Sequence, residues 1–394
     1  MGDDVRLGRI AGVAVGASWS LLVILALITW ILGSEVLPVA APDAHPAAHW
    51  AVAAVTAIAF LASLLAHELA HSVVARGRGI EVEGITLWMF GGMSRLKGQA
   101  PDARTEERMA LAGPLASLAL GAAMTVLAVL LAGAHAPDVV AAAIAWLGLM
   151  NGMLAVFNLL PAYPLDGGRV LRAIIWRRTG DLRRATAAAT TTGIRFGYGL
   201  IALGAVAAVA GAGLGGIWLA LLGWIVLNAA RAERAGLELR HLLGGVRVAD
   251  VMTPDPVTAP ADVTVEALVR HYVGLYRCSA FPVVRANGSA VGLVTLSRLR
   301  EVPAHIRSTL TAAEVATPME RVVTARPDDL VVDLLARFTV GSGRRALVID
   351  DGALVGIVTA SDVERALEMA EVVSAETTAD AAARVVVIPP RGGG

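Results

Sequence analysis

The chain of 394 residues is long enough for two or three domains. It is 56% hydrophobic and only 17% charged, where soluble domains are about a quarter charged, and its mean hydropathy of +0.66 excludes an ordinary soluble protein. A formal charge of zero argues against a nucleic-acid partner. Its single cysteine, Cys278, reads as a buried or half-buried free thiol and excludes both an intramolecular disulfide and a cysteine-built zinc site. Lys97 is the sole lysine; with so much alanine and glycine, this points to a GC-rich bacterial source.

Met1 to Ser18 reads as a short, partly polar lead carrying Arg6 and Arg9. Trp19 to about Leu37 has roughly the 20 apolar residues that a bilayer span needs. It is long and has no processing site, so no cleavable signal peptide is expected. The loop from Glu35 to His49 has no lysine or arginine, and His45 and His49 in it read as solvated loop histidines. Trp50 to Ala75 is the second span. Near its end runs Leu64-Leu65-Ala66-His67-Glu68-Leu69-Ala70-His71, with two histidines four apart and a glutamate directly after the first. Positions i and i+4 share one face of a helix, so both imidazoles can bind one divalent ion with Glu68 beside it.

From Ile80 to Lys97 the pattern changes. Ile80, Val82, Ile85, Leu87 and Met89 predict strand, and Gly91-Gly92 predicts the turn of a β-hairpin at the membrane edge. Met109 to Gly133 is a third apolar segment, entered through Ala112-Gly113-Pro114, whose small residues allow close helix packing. Val139 to Leu160 is the fourth; its Asn151 and Asn158 are costly in lipid and should face the protein interior. Pro161 to Arg169 breaks the helix, and such backbone survives at membrane depth only when buried or lining a wet cavity. An interfacial segment bearing Arg169, Arg172, Arg177, Arg178, Arg183 and Arg184 follows, then two more spans, Ile194 to Val209 and Ile217 to Ala230. With six spans every basic cluster falls on one side, which puts both chain ends in the cytoplasm.

From Val246 onward the sequence is that of a soluble protein, and it repeats. Val291-Gly292-Leu293-Val294-Thr295-Leu296-Ser297 returns as Val355-Gly356-Ile357-Val358-Thr359-Ala360-Ser361, about 64 residues later, which marks a tandem of two supersecondary units. Each unit reads as strand, helix, strand, turn, strand, helix. His241, His271 and His305 read as surface or packing residues. The tail 371–394 reads as disordered.

A catalytic zinc takes three protein ligands and leaves one position for water. His67 and His71 supply two. Asp166 is the best candidate for the third, because a carboxylate ending a long apolar span is costly without a cation. Glu68 is then the general base.

With these residues placed, residues 10–240 resemble the site-2 protease family of intramembrane zinc metalloproteases. His67-Glu68-Leu69-Ala70-His71 and Asn158-Leu159-Leu160-Pro161-Ala162-Tyr163-Pro164-Leu165-Asp166-Gly167 carry the resemblance. It implies one zinc ion on His67, His71 and Asp166, Glu68 as catalytic residue, and cleavage of a peptide bond within or beside a substrate's transmembrane helix. It also implies that the substrate is a membrane-anchored regulator, such as an anti-sigma factor. Asn158 matches the family motif and reads as a substrate-binding residue or a packing one, and the hairpin at Gly91 and Gly92 as an edge for an unwound substrate or a structural turn. The family often has Asn where this chain has Ser117.

The tandem resembles a CBS-domain pair. Gly356-Ile357-Val358-Thr359-Ala360-Ser361-Asp362 looks like that family's nucleotide signature, which implies an adenine nucleotide at Thr359 and Asp362. Arg298 replaces the aspartate in the first unit, so one site is expected rather than two. The pair could equally be a docking or homodimerisation module.

The expected architecture is a multi-pass α-helical membrane domain (1–240) of about six transmembrane helices with a small membrane-edge β-hairpin or sheet. An α/β tandem follows as CBS domains 246–302 and 313–370, in a bacterial cell membrane protein. The competing functions are a CBS-regulated transporter or channel using the same polar residues as an ion path, and a silent membrane scaffold.

Overall fold

A computed structural model describes residues 5–89, 91–98, 100–276, 278–338 and 344–370, the side chain of Lys97 aside. The tail 371–394, expected to be disordered, lies outside the described residues. The chain divides into two compact units, Met1–Ala235 and Gly236–Gly394.

Without water to satisfy the backbone, apolar runs in lipid close their hydrogen bonds internally as helices. Among the described residues six helices are long and apolar enough to cross a membrane: α1 (Ser20–Ala40), α2 (Pro46–Gly77), α3 (Ala103–Gly133), α4 (Asp138–Asn158) and, after the shorter α5 (Asp166–Thr179), α6 (Leu182–Ala212) and α7 (Leu214–Leu243). Most of them overrun the apolar windows at their polar ends. Thus α3 starts at Ala103 rather than Met109, because Asp102 Oδ1 accepts from the N–H groups of Arg104 and Thr105 at 2.9 Å and caps it there. Ala112-Gly113-Pro114 therefore lies inside the helix, not at its entrance.

One of the two loop histidines is corrected: His45 stays exposed ahead of the helix, as expected, but His49 does not. His45 caps α2, its Nδ1 accepting from Ala47 N–H, and His49 lies within that helix, 6% exposed, with Nε2 donating to Ala41 O at 2.9 Å. Asn151 is buried as expected and donates to Leu147 O on its own helix.

The N-terminal lead, for which the sequence suggested no element, is strand over most of its described length. It forms a hairpin of β1 (Val5–Ile10) and β2 (Val13–Ala17), turning through Ala11 and Gly12, both at positive φ. Val13, Val15 and Ala17 point inward by strand alternation, and β2 pairs in parallel with β3 (Glu81–Trp88), which pairs antiparallel with β4 (Gly91–Lys97). The sheet order is β1-β2-β3-β4, so β4 is an edge strand. Val13, Ile85 and Leu87 pack with Leu65 and Leu69, which seats the sheet on the segment of α2 that carries the paired histidines. Gly91 and Gly92 are not the turn: they lie in β4, opposite Trp88 and Leu87.

In the second unit the two repeats exchange strands. One sheet runs β6 (Ala259–Pro260), β7 (Ala280–Val284), β8 (Ala290–Thr295), β9 (Thr317–Pro318). The other runs β10 (Val323–Ala325), β11 (Ala346–Asp350), β12 (Ala353–Val358), β5 (Thr253–Pro254). The short strand that opens each repeat thus completes the sheet of the other. Leu293 and Ala280 of one sheet pack against Leu347 and Ile357 of the other.

Candidate metal centre

His67 and His71 fall one turn apart on α2, 3% and 8% exposed, with their Nε2 atoms 3.2 Å apart. Asp166 opens α5 and is 9% exposed; its Oδ2 stands 3.3 Å from His67 Nε2 and 3.2 Å from His71 Nε2. Donors around a tetrahedral ion with bonds of about 2.0–2.1 Å lie about 3.3–3.4 Å apart. The triangle therefore has the size of three corners of a zinc tetrahedron.

The polarity of the triangle agrees with its size. His71 Nδ1 donates to Met109 O at 2.6 Å. A carbonyl only accepts, so in the neutral ring the hydrogen sits on Nδ1 and the Nε2 lone pair faces the triangle. His67 Nδ1 is bonded to Ser117 Oγ at 2.9 Å. The His71 lone pair and the Asp166 carboxylate oxygen converging out of water repel one another, and a divalent cation turns that repulsion into coordination. Gly113 provides the room: a Cβ there would stand 2.2 Å from His71 Nε2 and 2.6 Å from His67 Nε2. Met109, Gly113 and Ser117 follow one another at four-residue steps, so one face of α3 sets both rings although it supplies no ligand.

Asp166 reaches the triangle because Gly167 and Gly168 let the first turn of α5 lie against the preceding break. A Cβ at Gly167 would stand 2.2 Å from Leu159 O, and one at Gly168 2.3 Å from Tyr163 N. Further along α5, Arg169 and Arg172 converge on Glu106 of α3, which is 2% exposed. Burial opposes the charge of Arg169, but Glu106 and Asp166 outweigh it and hold its pKa above the ordinary value. Burial, with Glu233 beside it, pushes the Tyr163 hydroxyl up to about 12, so it stays a neutral donor.

Glu68 lies under β4. Ser94 Oγ donates to its Oε2 at 3.0 Å, and Ser72 Oγ stands 3.3 Å from Ser94 Oγ. A Cβ at Gly92 would come within 2.3 Å of Glu68 Cγ, so the bare strand is what admits this side chain. Gly91, at φ 134°, precedes it on the same strand. Asn158 is half-buried and donates to Leu154 O at 3.0 Å. In the second unit Asp362 is 6% exposed and accepts from Thr359 N–H at 2.9 Å, Thr359 Oγ1 at 2.6 Å and Thr253 Oγ1 at 3.1 Å.

Sequence reasoning brought His67, Glu68, His71 and Asp166 to one place. It missed Met109, Gly113, Ser94 and Glu106, and left Ser117 without a role. The signal available for most of them was the spacing of Glu106, Met109, Gly113 and Ser117 along one helix face.

Residues 55–145 and 133–203 match peptidase family M50, and residues 248–305 and 312–369 each match the CBS domain. A Mycobacterium tuberculosis protein named "Putative zinc metalloprotease Rip3" is 46% identical over 96% of both chains. A Synechocystis protein, "Putative zinc metalloprotease sll0528", is 28% identical over 93% of this chain and 96% of its own. Among solved structures, the "Site-2 Protease from Methanocaldococcus jannaschii" is 27% identical, covering 58% of this chain and 94% of its own, with a TM-score of 0.38.

Proposed function

Since the chain belongs to peptidase family M50, the multi-pass zinc metalloproteases of site-2 type, we propose that His67, His71 and Asp166 hold its zinc ion and that Glu68 is its general base. The observation that carries this is the triangle of donor atoms 3.2–3.3 Å apart, with each imidazole anchored through its far nitrogen. A zinc ion there would supply Lewis acidity, polarising a carbonyl and making water a stronger acid.

The chain's own residues do the rest. Glu68 takes the proton of the attacking water and passes it to the leaving amine nitrogen. Ser94 fixes the carboxylate that does so. The outer edge of β4 offers backbone N–H and C=O groups to an unwound substrate segment, and Gly91 and Gly92 keep that edge low above Glu68. Asn158 gives one amide hydrogen to Leu154 O; its second hydrogen and its carbonyl serve a substrate backbone.

The substrate on this reading is a membrane-anchored regulatory protein, such as an anti-sigma factor, cut within or beside its span. On the same reading both termini are cytoplasmic and the membrane is the cell membrane, which the gathering of the basic clusters on one side of six spans supports. The CBS pair modulates cleavage, by binding an adenine nucleotide at Thr359 and Asp362 or by pairing two copies of the chain.

The test is direct. The full chain, purified in detergent, is assayed for bound zinc and for cleavage of a model transmembrane substrate, as wild type and as Glu68→Gln. Both are expected to hold zinc and only the wild type to cut. Equal cutting removes Glu68 from the mechanism, and ion flux without cleavage would favour the transporter.

A further inference from the structure

We propose that Glu106, acting through Arg169 and Arg172, is a positioning residue that holds Asp166 in the metal triangle. The proposal rests on the reading of His67, His71 and Asp166 as ligands. The two imidazoles need little help to meet, because they share one helix. Asp166 comes from another element, and it opens that element directly after irregular backbone, where a helix is least held. Something must fix where α5 stands.

Arg169 and Arg172 lie one and two turns beyond Asp166 on α5. Both reach the same oxygen: Arg169 Nε stands 3.2 Å and Arg172 Nη2 2.5 Å from Glu106 Oε1. All three side chains are largely withdrawn from water, at 3% exposed for Glu106, 23% for Arg169 and 13% for Arg172. Arg172 also approaches Glu233 of α7 at 3.5 Å. Charge-assisted bonds of this kind are short and geometrically strict. A slip of α5 by one residue, about 1.5 Å of helix rise, would break both.

The carboxylate that receives them stands on the face of α3 that carries Met109, Gly113 and Ser117. One helix thereby orients His67 and His71 and anchors the helix that carries Asp166. Bulk stability is a poor explanation for the cluster, since apolar side chains in place of a buried ion pair often stabilise as well or better. A fixed register between α3 and α5 is what the charges add.

The experiment compares wild type, Glu106→Gln, Arg169→Gln and Asp166→Asn as full-length protein in detergent. Zinc affinity is read by chelator competition, and ligand geometry from the visible bands of the cobalt(II)-substituted protein. Glu106→Gln is expected to weaken zinc about ten- to hundredfold and to change the cobalt spectrum, with Asp166→Asn weakening it further. Should Glu106→Gln fail to accumulate, Arg169→Gln decides, because it leaves Glu106 paired with Arg172; about a tenfold loss is expected. Unchanged affinity and spectrum in a folded variant, even with a lowered Tm, would make the cluster merely structural and overturn the proposal. Impaired Asp166→Asn beside intact Glu106→Gln sinks the clamp alone. If Asp166→Asn itself binds like wild type, the ligand reading falls and takes the clamp with it.

Discussion

Asp166 in the membrane unit and Asp362 in the second unit are buried to a similar depth, 9% and 6% exposed, among partners of opposite kind. Around Asp362, two threonine hydroxyls and a backbone N–H all donate, and the carboxylate is satisfied within the protein. Around Asp166 stand two imidazole Nε2 atoms, one of which Met109 O turns into a lone pair. Burial of a carboxylate is thus no signal by itself. The sign of its neighbours separates a group that caps a helix, here the one over residues 360–370, from one that waits for a cation.

The strongest way to break this contrast is to neutralise Asp166. In Asp166→Asn the triangle loses its one formal negative charge, and bound zinc, measured on the purified protein by mass spectrometry, is expected to fall to background with cleavage lost. Retention of one zinc per chain would mean that the two imidazoles suffice and that the carboxylate faces them for another reason. Glu68→Gln is the companion: zinc stays, while cleavage falls about a hundred- to ten-thousandfold.

A smaller effect is expected from the space between the rings. Gly113→Ala puts a methyl group 2.2 Å and 2.6 Å from the two Nε2 atoms, which must move. Alanine is the better helix former by about 1 kcal/mol, so the helix should not suffer while zinc affinity falls by at least about tenfold, the lower end of the range for lost ligand support. Wild-type affinity in Gly113→Ala would show that the rings tolerate displacement. Ser117→Ala removes only the bond to His67 Nδ1 and should cost about tenfold in affinity. Ser117→Thr, which keeps the hydroxyl, should recover most of it if the added methyl fits.

How much of this was legible follows from where the information sits. The paired histidines could be read because their relation is contained in one turn of helix. Asp166 could be read because a carboxylate at the end of an apolar run demands a partner. Met109 could not, since it acts through its backbone carbonyl, which has no side-chain signature. Gly113 looked like ordinary small-residue packing, and only coordinates show two imidazoles against it. Glu106 lay outside the expected span, which began at Met109, because an apolar window does not see a helix extended by the Asp102 cap. The N-terminal hairpin was hidden for a related reason: the alternation of Val13, Val15 and Ala17 is brief, and its partner β3 is far away in sequence. In the second unit the repeat was plain, but the exchange of β5 and β9 rests on strands of two residues each, too short to register as a pattern.

The mildest substitution tests the other half of the contrast. In Asp362→Asn one oxygen of the carboxylate becomes an amide NH2. Thr359 N–H and Oγ1 both donate to Oδ2 and only Thr253 Oγ1 to Oδ1. The amide therefore keeps its oxygen toward Thr359 and turns its NH2 to the Thr253 hydroxyl, which can rotate to accept. The cost, weaker neutral bonds in place of charge-assisted ones, should be about 1 kcal/mol. Calorimetry of the full chain should show it as a lower Tm for the transition of the second unit, with zinc content and the transition of the membrane unit unchanged. The same variant separates a capping role from a ligand-binding one. A ribose held by Asp362 would compete with Thr253, which lies on the exchanged strand β5, so AMP would have to repay the loss of that bond. If Asp362 binds nucleotide, AMP raises the wild-type Tm and leaves Asp362→Asn unmoved. An equal rise in both would place the nucleotide elsewhere, and a loss of zinc in the variant would erase the distinction between the two carboxylates.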